Sequence, residues 1–297
     1  MHGSQFGEAG LSMDAEKSGN RRPQIAVISA HYYERHLACS LKQLQSLRTL
    51  LDASRCVVVS NNPAFATPLQ EAKTRNSFID DVVLHDNGGL EFGAYQAGLN
   101  SLCRTSDPDW VVVLNDTLAT HHCFSSPTRA NFVRHLIAPG LADFPIVVGQ
   151  VESLARSYAL HGMRTHRWIT TNVFALNRAA LQRLDHRIHI PDLDRLVESS
   201  GDRAHFFADD MDSILREHLD RWLFEPNGAN SWYGAAPLDS GNAAKFAGKA
   251  RSIIQEKFLS ARLDSIGTMF VDIKRLSRTD RLWNRAEEQW FALWSRN

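Results

Sequence analysis

The sequence has no Cys-x-x-Cys pair, no surplus of either charge and no apolar run of membrane-spanning length, and each absence removes a class of protein. Its four cysteines, Cys39, Cys56, Cys103 and Cys123, stand singly in apolar or mixed segments. Zinc sites and disulfide frameworks need paired spacing, so neither is expected, and a reducing cytoplasm fits. Thirty-three basic residues balance thirty-three acidic ones. No field for a polyanion builds up, and nucleic acid is not an expected partner. A spanning helix needs about twenty consecutive apolar residues, and no run approaches that length. No repeat of solenoid length is present either.

What is there is alternation. Short β-branched runs (IAVISA from Ile25, CVVVSNN from Cys56, DVVLHDN from Asp81, DWVVVLND from Asp109) alternate with helical stripes such as LACSLKQLQSLRTLL. Repeated βα units of this kind predict a mainly parallel sheet in a three-layer α/β/α sandwich. Further strands are expected at PIVVGQV and WITTNVFAL, a helix at NRAALQRL, another starting near Asp209, and a short strand at WLFEP. The chain of 297 residues divides into a disordered tail over 1–22, without the apolar core of a signal peptide, an α/β domain over 23–240 and a helical carboxyl-terminal arm over 241–297. The arm holds eleven Lys or Arg against six Asp or Glu, with Trp283, Trp290 and Trp294. Packing on the body and peripheral docking at the inner face of a membrane both fit that composition.

Ligands bind open α/β sheets at the carboxyl ends of the strands. Four strand ends therefore form the candidate site: Ser29-Ala30-His31, Ser60-Asn61-Asn62, Asp86-Asn87-Gly88 and Asn115-Asp116-Thr117. The first three offer donors and acceptors for a nucleobase and ribose, or simply make turns. Asp116 could hold Mg²⁺ or Mn²⁺ against a diphosphate, or close an Asx turn. Downstream, FFADDMDSILREHL puts three carboxylates just before a helix. They could cap it, or one could be a general base with Arg216 orienting it. The pairs His121-His122 and His161/His166 lack metal spacing, and Arg164 and Arg167 could meet phosphate or acceptor.

At these residues the chain resembles a GT-A fold glycosyltransferase of the family 2 type and is similar to its rhamnan synthesis F group. NGGLEFGAYQAGL and LNDTL match that group's N-x-G-x-[DE]-F-G-A-[YW]-x-x-G-L and L-N-D-[ST], apart from the doubled glycine Gly88-Gly89. ADDMDSILR is similar to E-D-x-D-L-x-x-R. The resemblance covers roughly residues 23–224. It implies a nucleotide and metal segment at Asn115-Asp116-Thr117, with Thr117 where an acid is usual, a donor-side Glu91, and a catalytic base at Asp210 or its neighbour Asp209. The Q-x-x-R-W motif of processive synthases is absent.

The expected function is inverting transfer of one sugar from a nucleotide diphosphate sugar to a saccharide or lipid-linked acceptor, in polysaccharide or glycoconjugate synthesis. A catalytically silent nucleotide-sugar-binding protein of the same fold is the alternative, because Thr117 weakens the metal site. A nucleotidyltransferase ranks last, since HYYERH lacks the glycine-rich, basic loop such enzymes place after their first strand.

Overall fold

The computed structural model describes residues 21–118, 120–138, 143–226 and 231–294. Positions 1–20 of the expected tail lie outside them. Seven strands form one sheet: β1 (Ile25–His31), β2 (Arg55–Ser60), β3 (Asp81–Leu84), β4 (Trp110–Asn115), β5 (Ile146–Leu160), β6 (Met163–Asn177) and β7 (Met269–Asp272), in the order β3-β2-β1-β4-β6-β5-β7. The first four run parallel, β6 is antiparallel to β4 and β5, and β7 is parallel to β5. Every residue of β1 is buried, as expected for a parallel strand covered on both faces.

Among the described residues eight α-helices surround the sheet: α1 (Leu37–Leu51), α2 (Ala66–Arg75), α3 (Leu90–Cys103), α4 (Ser126–Ile137), α5 (Arg178–Arg183), α6 (Ser213–Phe224), α7 (Ala243–Ser265) and α8 (Arg278–Trp294). Leu44 and Leu47 of α1, Leu69 of α2 and Phe132 of α4 pack with Val27, Val58 and Val112 on one sheet face. On the other, α3 lays the stripe Phe92, Tyr95, Leu99 and Leu102 onto Ile28, Val57 and Val111, beside α5 and α7. The mostly parallel three-layer α/β/α sandwich is the expected one. Among the described residues no helix is long and apolar enough to cross a membrane.

Three details differ from expectation. WLFEP is no strand, because Trp222–Phe224 form the last turn of α6. Buried Leu215, Leu219 and Leu223 continue at helical spacing, and packing overrides the strand preference of Trp and Phe. The two strands expected at PIVVGQV and WITTNVFAL are the inner parts of a long hairpin, turned at His161-Gly162, where both residues have positive φ. The arm is not purely helical, since its four-residue β7 extends the sheet beyond β5.

Candidate functional site

The carboxyl end of β4, the outer half of the β5–β6 hairpin and the facing sides of α6 and α7 enclose a cleft of about 1200 Å³. Helical periodicity aims the side chains. Ile214, Glu217, His218 and Arg221 fall on one face of α6, and Lys249, Ile253, Glu256 and Lys257 on one face of α7. The hairpin contributes Glu152–Arg156 from β5 and Trp168 with Thr170–Asn172 from β6. Register shifts between Gly149/Val151 and Ser153/Tyr158 mark bulges in β5; bulges bend and twist a strand and re-aim its side chains, here those of the cleft wall.

Asn115 and Thr117 line this cleft, and so do Glu91, His121 and His122. Their local chemistry is a turn: Asn115 Oδ1 accepts from the Thr117 hydroxyl at 2.6 Å and the Thr117 N–H at 3.2 Å. Asp116 is buried beside it, and its Oδ2 accepts the backbone N–H groups of Tyr32 (2.8 Å) and Tyr33 (2.7 Å). It thereby clamps the loop after β1 to the end of β4. Burial raises its pKa, against the two backbone hydrogen bonds, which lower it.

The remaining strand-end residues are brought together but serve one another. Asn61 Nδ2 donates to Asn87 Oδ1 at 2.7 Å, His85 Nδ1 meets Asn61 Oδ1 at 2.8 Å, and the Gly88 N–H donates to Asp86 Oδ1 at 2.9 Å. None of Asn61, Asn87 and Gly88 lines the cleft. Ser29 and His31 correct the expectation more sharply: both are fully buried and bonded to each other at 2.9 Å, with the Ser40 hydroxyl 3.5 Å from the other imidazole nitrogen. Side chains at i and i+2 share one strand face, and α1, which carries Ser40, covers this one.

Burial lowers the His31 pKa to about 4. A base whose folded pKa lies below its unfolded value binds protons more tightly when unfolded, so its contribution to stability falls as pH drops from about 6.5 towards 4, by about 3 kcal/mol in all. Exposed His205 shifts the other way, raised by its hydrogen bond to Asp202. Imidazole nitrogen chemical shifts at pH 5.5 are expected to show His31 neutral and His205 charged. A protonated His31 at that pH would contradict the buried placement.

The carboxylates before α6 lie outside the lining of the cleft. Asp212 caps the helix, its Oδ1 accepting from the N–H groups of Ile214 (3.0 Å) and Leu215 (3.2 Å). Asp210 is exposed and paired with Arg195 at 2.8 Å, which holds its pKa below the usual value. Asp209 lines a separate, shallow hollow of about 380 Å³ with Arg203 and Asp220. Neither Asp209 nor Asp210 faces the large cleft. Arg216 donates to the Ala208 carbonyl, not to either acid, and Arg167 pairs with Asp264.

The cleft instead holds a carboxylate that the sequence reading missed. Glu256 is buried, and its Oε2 accepts from the Thr171 N–H and hydroxyl, both at 2.9 Å. Burial raises its pKa and neighbouring Lys257 opposes the shift. Tyr95, whose hydroxyl donates to the Thr171 carbonyl at 2.9 Å, feels the charges of Glu91, Asp116 and Glu256 and a hydrogen bond with Asn115. The end of β4 and the α7 acid therefore meet at one place. Lys257 Nζ lies 2.8 Å from the centre of the Trp168 ring, and burial lowers its pKa. One signal was available. Ala247, Ala250, Ile254 and Ala261 are buried apolar residues of α7 at heptad-like spacing, and Lys257 occupies the place of an apolar residue in that series.

These residues do not build a divalent-cation site by themselves. Mg²⁺ is commonly held by one or two carboxylates together with substrate phosphates and water; here Asp116 Oδ2 is engaged with two backbone N–H groups, its Oδ1 makes neither of those bonds, and its neighbour is Thr117. Among the described residues no three His, Cys, Asp or Glu side chains gather where they could hold an ion.

No known protein-family pattern and no curated protein matches the chain. Among solved structures it is similar to a mannosyltransferase from Pyrobaculum calidifontis in complex with GDP-Man and Mn²⁺, at 13% identity, TM-score 0.38, over 93% of this chain and 84% of that one. It is also similar to HddC from Yersinia pseudotuberculosis, at 10% identity, TM-score 0.32, over 52% and 77%. A third likeness is to the Francisella tularensis 2-C-methyl-D-erythritol 4-phosphate cytidylyltransferase, at 11% identity, TM-score 0.32, over 55% and 77%. Likenesses this distant carry no inference about chemistry, and the resemblance to family 2 and the rhamnan synthesis F group rests on the motifs alone.

Proposed function

We propose that the protein transfers a sugar from a nucleoside diphosphate sugar to a saccharide or lipid-linked acceptor, with both substrates in the cleft at the end of β4. The observation that carries this reading is the cleft itself. At about 1200 Å³ it exceeds the ~300–1,000 Å³ of most small-molecule sites, which suits two substrates. Trp222 and Trp232 offer flat apolar faces to the C–H faces of sugar rings, Lys249 and Lys257 offer cations to a diphosphate, and Glu256 offers a carboxylate.

In the inverting reaction the acceptor oxygen attacks the anomeric carbon as the bond to the diphosphate breaks, and the acceptor proton passes to a carboxylate. We assign that proton to Glu256, whose raised pKa suits a base, in place of Asp210 or Asp209. A polysaccharide or glycoconjugate product fits such a site. A thermal-shift screen of nucleoside diphosphate sugars tests the binding half, because a ligand specific for the folded state raises Tm. No stabilisation by any of them would sink the reading. The clamped Asp116 favours one second reading, a nucleotide-sugar-binding protein without turnover. Stabilisation without release of nucleoside diphosphate would identify it.

A further inference from the structure

We propose that Lys249 and Lys257, projecting from one face of α7, bind the donor diphosphate directly and take the place of a divalent cation. This rests on the donor reading above and deepens it. The other cleft cations, Arg156 of β5 and Arg221 of α6, share one carboxylate, Glu217, at 2.8 Å in the case of Arg156. Lys249 and Lys257 make no ion pair among the described residues. Each faces aromatic rings instead, Lys249 lying 5.8 Å from the centre of Trp222 and 5.9 Å from that of Trp232, and Lys257 lying over Trp168. A ring face supports a cation weakly and leaves its positive charge for an anion, which a carboxylate partner would cancel. Lys257 is buried, and with no carboxylate in ion-pair contact among the described residues it gains most from an arriving anion, since a poorly compensated buried charge is costly. The two residues stand eight positions, about 12 Å, apart on one face of α7, a span over which two long side chains can converge on one diphosphate.

Titration calorimetry with inorganic pyrophosphate in EDTA tests this, using wild-type protein, Lys249→Met, Lys257→Met and Lys245→Met. Lys245 is exposed on α7, does not line the cleft and lies 5.3 Å from the centre of Trp232, so it controls for the loss of a lysine–ring contact alone. Binding in EDTA is expected, weakened about tenfold or more by either cleft substitution, as for loss of a charged hydrogen bond, and unchanged by Lys245→Met. Met at either position suits a helix, and circular dichroism confirms folding. Pyrophosphate binding that needs Mn²⁺, or that survives both cleft substitutions, would overturn the inference. The donor reading fails separately, when no nucleoside diphosphate sugar stabilises the wild-type protein under any metal condition.

A second inference stands on a different observation: we infer that α8 lies on an anionic lipid surface. Its inner face is fixed to α4, with Asn284 Oδ1 accepting from Ser125 (2.5 Å) and Thr128 (3.0 Å) and Glu287 Oε2 from the Ser126 N–H (2.8 Å). The opposite arc exposes Leu282 (68%), Trp283 (63%) and Leu293 (69%). Arg278, Arg281 and Arg285 follow at i, i+3 and i+7, are exposed and flank that arc. Glu287 and Glu288 are turned inward, the latter to Lys274, which leaves the outer face apolar and basic. That pairing is the signature of a helix lying in the plane of an anionic bilayer.

Vesicle co-sedimentation checks it. Binding is expected to phosphatidylglycerol-containing vesicles, less to pure phosphatidylcholine, and lost in the double variants Trp283→Ser/Leu293→Ser and Arg281→Glu/Arg285→Glu. Equal binding to both vesicle types, no binding, or a concentration-dependent dimer that the Trp283→Ser/Leu293→Ser variant abolishes would overturn the assignment.

Discussion

Glu256→Gln is expected to reduce nucleoside diphosphate release in the presence of acceptor by about a hundredfold or more, the loss typical of a removed general base. Asp210→Asn is expected to leave that rate within about twofold, as befits an exposed ion pair. The contrast follows from placement. Glu256 faces the cleft with one oxygen held by Thr171, and Gln can still accept those two hydrogen bonds, so the fold and donor binding should persist. Asp210 points away from the cleft and towards Arg195. The inverse pattern, an inactive Asp210→Asn with an active Glu256→Gln, would return the base to the loop before α6.

Gly93→Ala carries the other large effect, on stability. A Cβ built on Gly93 would lie 1.8 Å from the Gly88 carbonyl oxygen and 2.8 Å from the His85 ring. The first of these is backbone, in a turn already committed to positive φ at Asn87, Gly89 and Leu90, so relief requires the turn into α3 to move. A loss of about 3 kcal/mol is expected in urea unfolding, at the upper end for overpacking. Gly248→Ala on α7 is the control. Its Cβ would meet only Leu90 Cδ1, at 3.9 Å, and helix propensity favours Ala over Gly by about 1 kcal/mol. Equal effects of the two substitutions would show that close packing is not what Gly93 serves.

The parallel half of the sheet was legible because its signals are local. β1, β2 and β4 are short runs rich in Val and Ile, and the Phe92, Tyr95, Leu99, Leu102 stripe declares both the helix and its buried face. The long hairpin was half legible: its inner residues are apolar, whereas Glu152–Arg156 face the cleft and follow no core pattern. β7 escaped because four residues between two helices offer too little periodicity to register.

At the site, Asn115 and Thr117 line the cleft, while Asp116 Oδ2 accepts from the Tyr32 and Tyr33 N–H groups. An Asp at a strand end reads the same whether it faces a cation or two backbone N–H groups of a neighbouring loop. ADDMDSILR is open to several readings for a related reason. Acids before a helix can be caps, surface pairs or catalysts, and only direction distinguishes them, which spacing along one chain does not encode. Lys249, Glu256 and Lys257 lay outside the span of the motif resemblance, on a helix that folds back over the site from far along the chain.

Hydrogen exchange of the protein with and without a stabilising nucleoside diphosphate sugar tests the central claim most directly. The account predicts slowed exchange at Asn115–Leu118 and Thr120–His122, on β6 around Thr171 and along α7 from Lys249 to Lys257, with Asp209–Asp212 unchanged. Protection confined to Asp209–Asp212, or to the strand-end knot at Asn61 and Asn87 alone, would contradict it.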